Sequence, residues 1–135
     1  MKKLALAMAA FGAALSVPAA AREVPVGAEA SIPFVSYGSV RNFRAVDRDT
    51  IYFEDRQRRW YRGEVIGPCL DLPFVPVIGV DTRGSNRLDR FSTIIVRGER
   101  CQLTSLVRSE EPPTRRELRR LREQEREARR ARERA

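Results

Sequence analysis

Cys69 and Cys101 are the only thiols in a 135-residue chain that carries no histidine. A working thiol needs a group that lowers its pKa, such as an electropositive cleft or a second cysteine in a Cys-X-X-Cys step. Without histidine, Ser–His and Cys–His nucleophile systems are excluded, as are histidine-containing zinc sites. The two cysteines are too far apart in sequence for Cys-X-X-Cys, and Cys69 follows Gly67-Pro68, where an apolar run gives way to a turn. Oxidation of the pair to a disulfide is the chemistry left, and it is the usual fate of two cysteines in a small exported domain. The bond would close a loop of about 33 residues and contribute roughly 3–4 kcal/mol in the chain-entropy model.

Asp71 and Asp89 are carboxylates that could work as a pair, as in glycoside hydrolysis. Each also stands where a loop-capping aspartate is usual. Trp60 and Tyr61 are neighbours on a strand, so alternation sends one to the core and the other to the surface. An exposed aromatic there could stack on a sugar or peptide; the plainer role is packing with a hydrogen-bonded rim. Asp47-Arg48-Asp49 looks like the start of a calcium loop, but Tyr52 and Arg58 stand where glycine and an acid are required. A turn ahead of Thr50 is expected instead. There is no glycine-rich phosphate loop and no nucleophile elbow. No metal or cofactor is expected.

The charge is concentrated at one end. Residues 22–111 hold 14 arginines and 13 acids, whereas residues 112–135 hold 10 arginines and 5 glutamates. Most of the net charge of +8 therefore belongs to the tail. Pro112-Pro113 stops the preceding strand, and Thr114 with Glu117 makes a capping-box pattern that predicts a helix start. Arg119–Glu123 and Glu125–Arg129 are spaced as i,i+4 pairs. Apolar positions are few (Leu118, Leu121, Ala128, Ala131), so the helix is polar nearly all round. Arg115, Arg116, Arg119, Arg120, Arg122, Arg126, Arg129 and Arg130 are the candidate anion-binding residues. The plainer reading is a solvated tail with no partner; the functional one is contact with an anionic envelope lipid or a periplasmic protein, with nucleic acid the lesser alternative for an exported chain.

These residues need elements to hold them. Lys2 and Lys3, the uncharged run Leu4 to Val17 and the small residues Ala19-Ala20-Ala21 have the layout of a secretory signal peptide over residues 1–21. The apolar run is shorter than a membrane span requires. A periplasmic or secreted protein with no transmembrane segment in its mature chain is expected. A flexible lead over 22–31, a β domain over 32–108, a linker over 109–114 and a helical or disordered tail over 115–135 would follow. "TIYFED" alternates Ile51 and Phe53 with Tyr52 and Glu54, and "RWYRGEVI" follows closely, which predicts a hairpin. Residues 77–81 can pair, and residues 83–86 form a turn cluster. "FSTIIVRGERCQLTSLV" predicts a second hairpin with a type II′ turn at Gly98-Glu99. That register sets Arg97 opposite Arg100, Val96 opposite Cys101 and Ile94 opposite Leu103, with Cys101 facing the core. The fold class is mainly β, or α+β: a small antiparallel sheet or partly open barrel of about five to six strands. One helical turn near residues 69–73 and a charged C-terminal helix complete it.

"IPF" near residue 32, "IYFED…RRWYRGEVIGPCLDLPF" and "LDRFSTIIVRGERCQL" together resemble a bacterial family catalogued as domain of unknown function 6491. Its members look like small exported proteins. The resemblance covers about residues 31–107 and emphasises Trp60, Tyr61, Gly67, Pro68, Cys69, Asp71, Asp89, Phe91 and Cys101. It implies architecture and no reaction, and the arginine-rich tail lies outside it. The expectation is a non-enzymatic binding or structural protein whose basic tail contacts an anionic partner. The alternatives are an envelope enzyme using Asp71 and Asp89, or a nucleic-acid-binding protein acting through the tail.

Overall fold

The computed structural model describes residues 22–135, so the signal-peptide reading of residues 1–21 lies outside the described residues. The strands are β1 (Ile32–Pro33), β2 (Val40–Ala45), β3 (Thr50–Asp55), β4 (Trp60–Ile66), β5 (Gly79–Asp81), β6 (Arg87–Leu88), β7 (Thr93–Val96) and β8 (Glu99–Ser109), followed by helix α1 (Arg115–Glu133). Six strands form one antiparallel half-barrel in the order β2-β3-β4-β8-β7-β5, and β1 pairs with β6 beside it. The edge strands β2 and β5 face each other across a seam lined by Val40, Phe43, Ile78 and Val80. The eleven-residue β8 joins the two halves by pairing with both β4 and β7. An irregularity in its register between Glu64 and Val65 leaves Thr104 as an extra residue. A bulge of this kind bends a strand and raises its twist, which helps the sheet curl.

The core follows from the period of two. Ile51 and Phe53 of β3 point inward and are fully buried, as do Ile94 and Val96 of β7 and Cys101 and Leu103 of β8. Gly63 of β4 also faces inward. A Cβ there would come within 2.8 Å of Leu103 and 3.4 Å of both Ile51 and Phe53, so packing leaves no room for a side chain. Cys69 and Cys101 form a disulfide with their Cα atoms 6.0 Å apart, within the usual range for such bonds. Gly67 has φ of 120° and passes close to the backbone of Arg100 and Cys101. A side chain would be strained there, which accounts for glycine at the step that delivers Cys69 to its partner. The expected helical turn is a 3-10 turn at Leu72–Phe74.

Two expectations are corrected. The β7–β8 turn is Arg97-Gly98, both with positive φ, so it is type I′ and not the II′ turn at Gly98-Glu99. Val96 pairs with Glu99, Ile95 with Arg100 and Ile94 with Cys101. The predicted register set Arg97 directly opposite Arg100, and like charges in that position repel. In the observed register Arg97 reaches Asp71 at 3.3 Å and Arg100 pairs with Asp81 of β5. Sliding a two-residue loop by one position preserves strand parity, so Cys101 still faces the core. The second correction concerns the lead. Gly27 N–H donates to Arg108 O, Ala30 N–H to Leu106 O, and Arg108 N–H to Ala28 O. Residues 27–30 thus lie along the end of β8, and only the earlier part of 22–31 lacks such pairing.

Candidate functional site

The path to the arginine helix begins at Trp60. Side chains alternate on β4, so Tyr61 enters the core while Trp60 faces the opposite side of the sheet. Neither is exposed, which corrects the expectation that one of them would be: Trp60 is 6% accessible and Tyr61 4%. Arg44 lies over the indole with its guanidinium carbon 5.0 Å from the ring centroid. The same guanidinium donates to Pro112 O at 2.6 Å and approaches Glu111 at 3.7 Å. Arg44 therefore covers Trp60 and fastens the 109–114 linker to the sheet. Pro112 is itself buried.

The linker sets where α1 begins. Thr114 Oγ1 accepts from Glu117 N–H at 3.2 Å, and the Glu117 carboxylate accepts from Thr114 N–H at 2.6 Å. This reciprocal capping box is the one the sequence predicts. The hydrogen bond from the Thr114 backbone, then that from its side chain, hold the Glu117 carboxyl below its ordinary pKa. No residue of α1 is buried. The expected pairs Arg119–Glu123 and Glu125–Arg129 do not form; the ion pair within α1 is Arg129–Glu133 at 3.3 Å.

From this root α1 runs beside the turn between β2 and β3. The two enclose an open cleft of about 890 Å³. Arg115, Arg119, Arg122 and Arg126, one flank of the helix, form a wall together with Leu118 and Glu123. Asp47, Arg48, Asp49, Pro73 and Phe74 come from the body. Among the described residues, none of Arg48, Arg115, Arg119, Arg122 or Arg126 forms an ion pair. Asp47 is engaged locally, its Oδ1 accepting from Asp49 N–H and Thr50 N–H at 2.8 Å each.

The chain matches a family described as a family of unknown function, DUF6491, over residues 1–129. It belongs to that family. The DUF6491 match reaches well beyond residues 31–107 and takes in most of α1, so the arginine helix lies within the family's span and not outside it. No curated protein and no solved structure matches the chain.

The other candidates in this DUF6491 chain are held apart. Asp71 pairs with Arg97 at the tip of the β7–β8 hairpin. Asp89 lies beyond the far end of β7, where its Oδ1 accepts from Phe91 N–H at 2.9 Å and Ser92 Oγ–H at 3.3 Å. The two carboxylates thus sit at opposite ends of one strand, each closing a local contact. Phe91 is exposed under the Arg90 guanidinium. Among the described residues no cluster of three or more Cys, Asp or Glu side chains could hold a metal.

Two features escaped the sequence. Asp55 is buried at the inward end of β3 and accepts from Gln57 N–H, Arg59 N–H, Arg59 Nε–H and the Tyr61 hydroxyl at 2.8–3.0 Å. Burial first, then this hydrogen bond and the Asp55 charge, push the Tyr61 phenol above its ordinary pKa. The signal was present, because Asp55 continues the inward parity of Ile51 and Phe53. Arg48 and Phe74 as the wall facing α1 had no local signal, since only the tertiary path of the linker brings the helix to them.

Proposed function

We propose that this chain is a non-enzymatic, exported binding protein whose arginine-rich helix engages an anionic component of the cell envelope. The observation that carries this reading is the state of α1: none of its residues is fully buried, it is capped and fastened at its root, and it keeps most of its guanidinium groups free of ion pairs. A helix that adds no core and holds nine arginines against five glutamates over Arg115–Glu133 serves a charge-recognition role better than a packing one. Export is supported by the disulfide, a bond that persists in oxidising compartments. Among the described residues no helix is long and apolar enough to cross a membrane.

The test compares the protein with a version ending at Thr114, which keeps Pro112 and its bond to Arg44. Sedimentation with phosphatidylglycerol vesicles is expected for the first and absent for the second. Equal sedimentation of the two would remove α1 from the function. Retention on RNA but not on vesicles would move the partner to nucleic acid.

A further inference from the structure

Building on the anionic-partner reading above, we infer that the cleft between α1 and the β2–β3 turn is a headgroup site. It takes the phosphate of an anionic amphiphile, with the first carbons of its hydrocarbon against Phe74 and Leu118. Guanidinium groups approach from two walls: Arg115, Arg119, Arg122 and Arg126 from the helix, and Arg48 from the body. Arginine suits phosphate because its planar fork matches a pair of phosphate oxygens. The lining also carries Asp47, Asp49 and Glu123. Five guanidiniums against three carboxylates leave the cleft cationic, and Asp47 is already occupied by the turn it closes.

The apolar part of the lining selects an amphiphile over a bare anion. Phe74 is 72% accessible and has Pro73 beside it, with the half-buried Leu118 across the cleft. An aromatic left in water next to a cationic wall gains from covering by hydrocarbon, whereas a bare hydrated phosphate offers it nothing. A volume of about 890 Å³ accommodates a headgroup and its first carbons, and exceeds what a free phosphate would need. Arg116, Arg120 and Arg132 lie elsewhere on α1, carry the same charge and do not line this cleft. They are a built-in control.

Two triple variants of the full protein separate the site from bulk charge: Arg119→Gln with Arg122→Gln and Arg126→Gln, and Arg116→Gln with Arg120→Gln and Arg132→Gln. All six positions are exposed, and circular dichroism checks that helicity is kept. On vesicles of phosphatidylglycerol mixed with phosphatidylcholine, the cleft triple is expected to lose affinity about tenfold or more and the control triple less than about threefold. Equal losses would overturn the headgroup site while leaving the anionic-helix reading in place. No vesicle binding by the unaltered protein would overturn both. Phe74→Ala is expected to weaken vesicle binding and leave binding of soluble glycerol phosphate unchanged. Unchanged vesicle binding in Phe74→Ala, or complete competition by inorganic phosphate, would make the site one for free phosphate and overturn the amphiphile.

Discussion

Replacing Asp55 with alanine removes four hydrogen bonds at once from a carboxylate that is 2% accessible. The Tyr61 hydroxyl becomes a buried orphan, which costs about 1–3 kcal/mol. The Gln57 and Arg59 amides, in the turn that closes β3 onto β4, lose charge-assisted acceptors at about 1 kcal/mol each. The Arg59 ion pair adds little, because its guanidinium is partly in solvent and screened. Asp55→Ala should therefore lose about 3–5 kcal/mol, read as a fall in the urea midpoint at constant slope. Asp55→Asn keeps one acceptor but turns an NH₂ toward Arg59 and Tyr61, so an intermediate loss is expected. Tyr61→Phe should cost about 1 kcal/mol, and the double variant less than the sum, because the two share one bond. There is also an alkaline signature. The folded-state pKa of Tyr61 is raised, so the unfolded chain loses the phenolic proton first. Stability is intact below the ordinary tyrosine value and falls as pH rises through it toward the folded value; Tyr61→Phe should lack this fall. An Asp55→Ala loss below about 1 kcal/mol would refute the claim that this carboxylate organises the hairpin.

Three further outcomes follow from the packing and the caps. The protein from an oxidising compartment should be two hydrogens lighter than its reduced form, and reduction should lower its stability by about 3–4 kcal/mol in urea. Gly63→Ala should destabilise by about 1–3 kcal/mol, because its Cβ meets the Leu103 side chain at 2.8 Å; an unchanged urea midpoint would mean that the core yields there. The depressed folded-state pKa of Glu117 places its contribution above the unfolded carboxylate value and removes it as pH falls through the folded one. Ellipticity of α1 should thus drop in acid by more in the unaltered protein than in Glu117→Gln.

The sheet was readable where period and turn chemistry agreed. β3 and β4 begin and end within a residue of the alternating runs, and the capping box lies where Thr114 and Glu117 put it. The β7–β8 turn was placed one residue late. Glycine suits a two-residue loop as its first residue in II′ and as its second in I′, so Gly98 alone fits both registers, and cross-strand repulsion between Arg97 and Arg100 disfavours the first. For Trp60, alternation correctly assigned it the face opposite Tyr61. Its covering by Arg44 and the fastened linker is a contact between residues 44, 60 and 112 that no local pattern encodes. The cleft was hidden for the same reason. Its arginines were legible as a helical stripe, but their opposite wall comes from the β2–β3 turn and from Pro73-Phe74, all more than forty positions earlier in the chain.

The measurement that bears most directly on the arginine helix is the salt dependence of binding to phosphatidylglycerol vesicles, with and without residues 115–135. Strong binding at low ionic strength that weakens steeply with added salt, and that disappears when the helix is removed, is the expected result. Binding that ignores salt, or that survives removal of the helix, would contradict it.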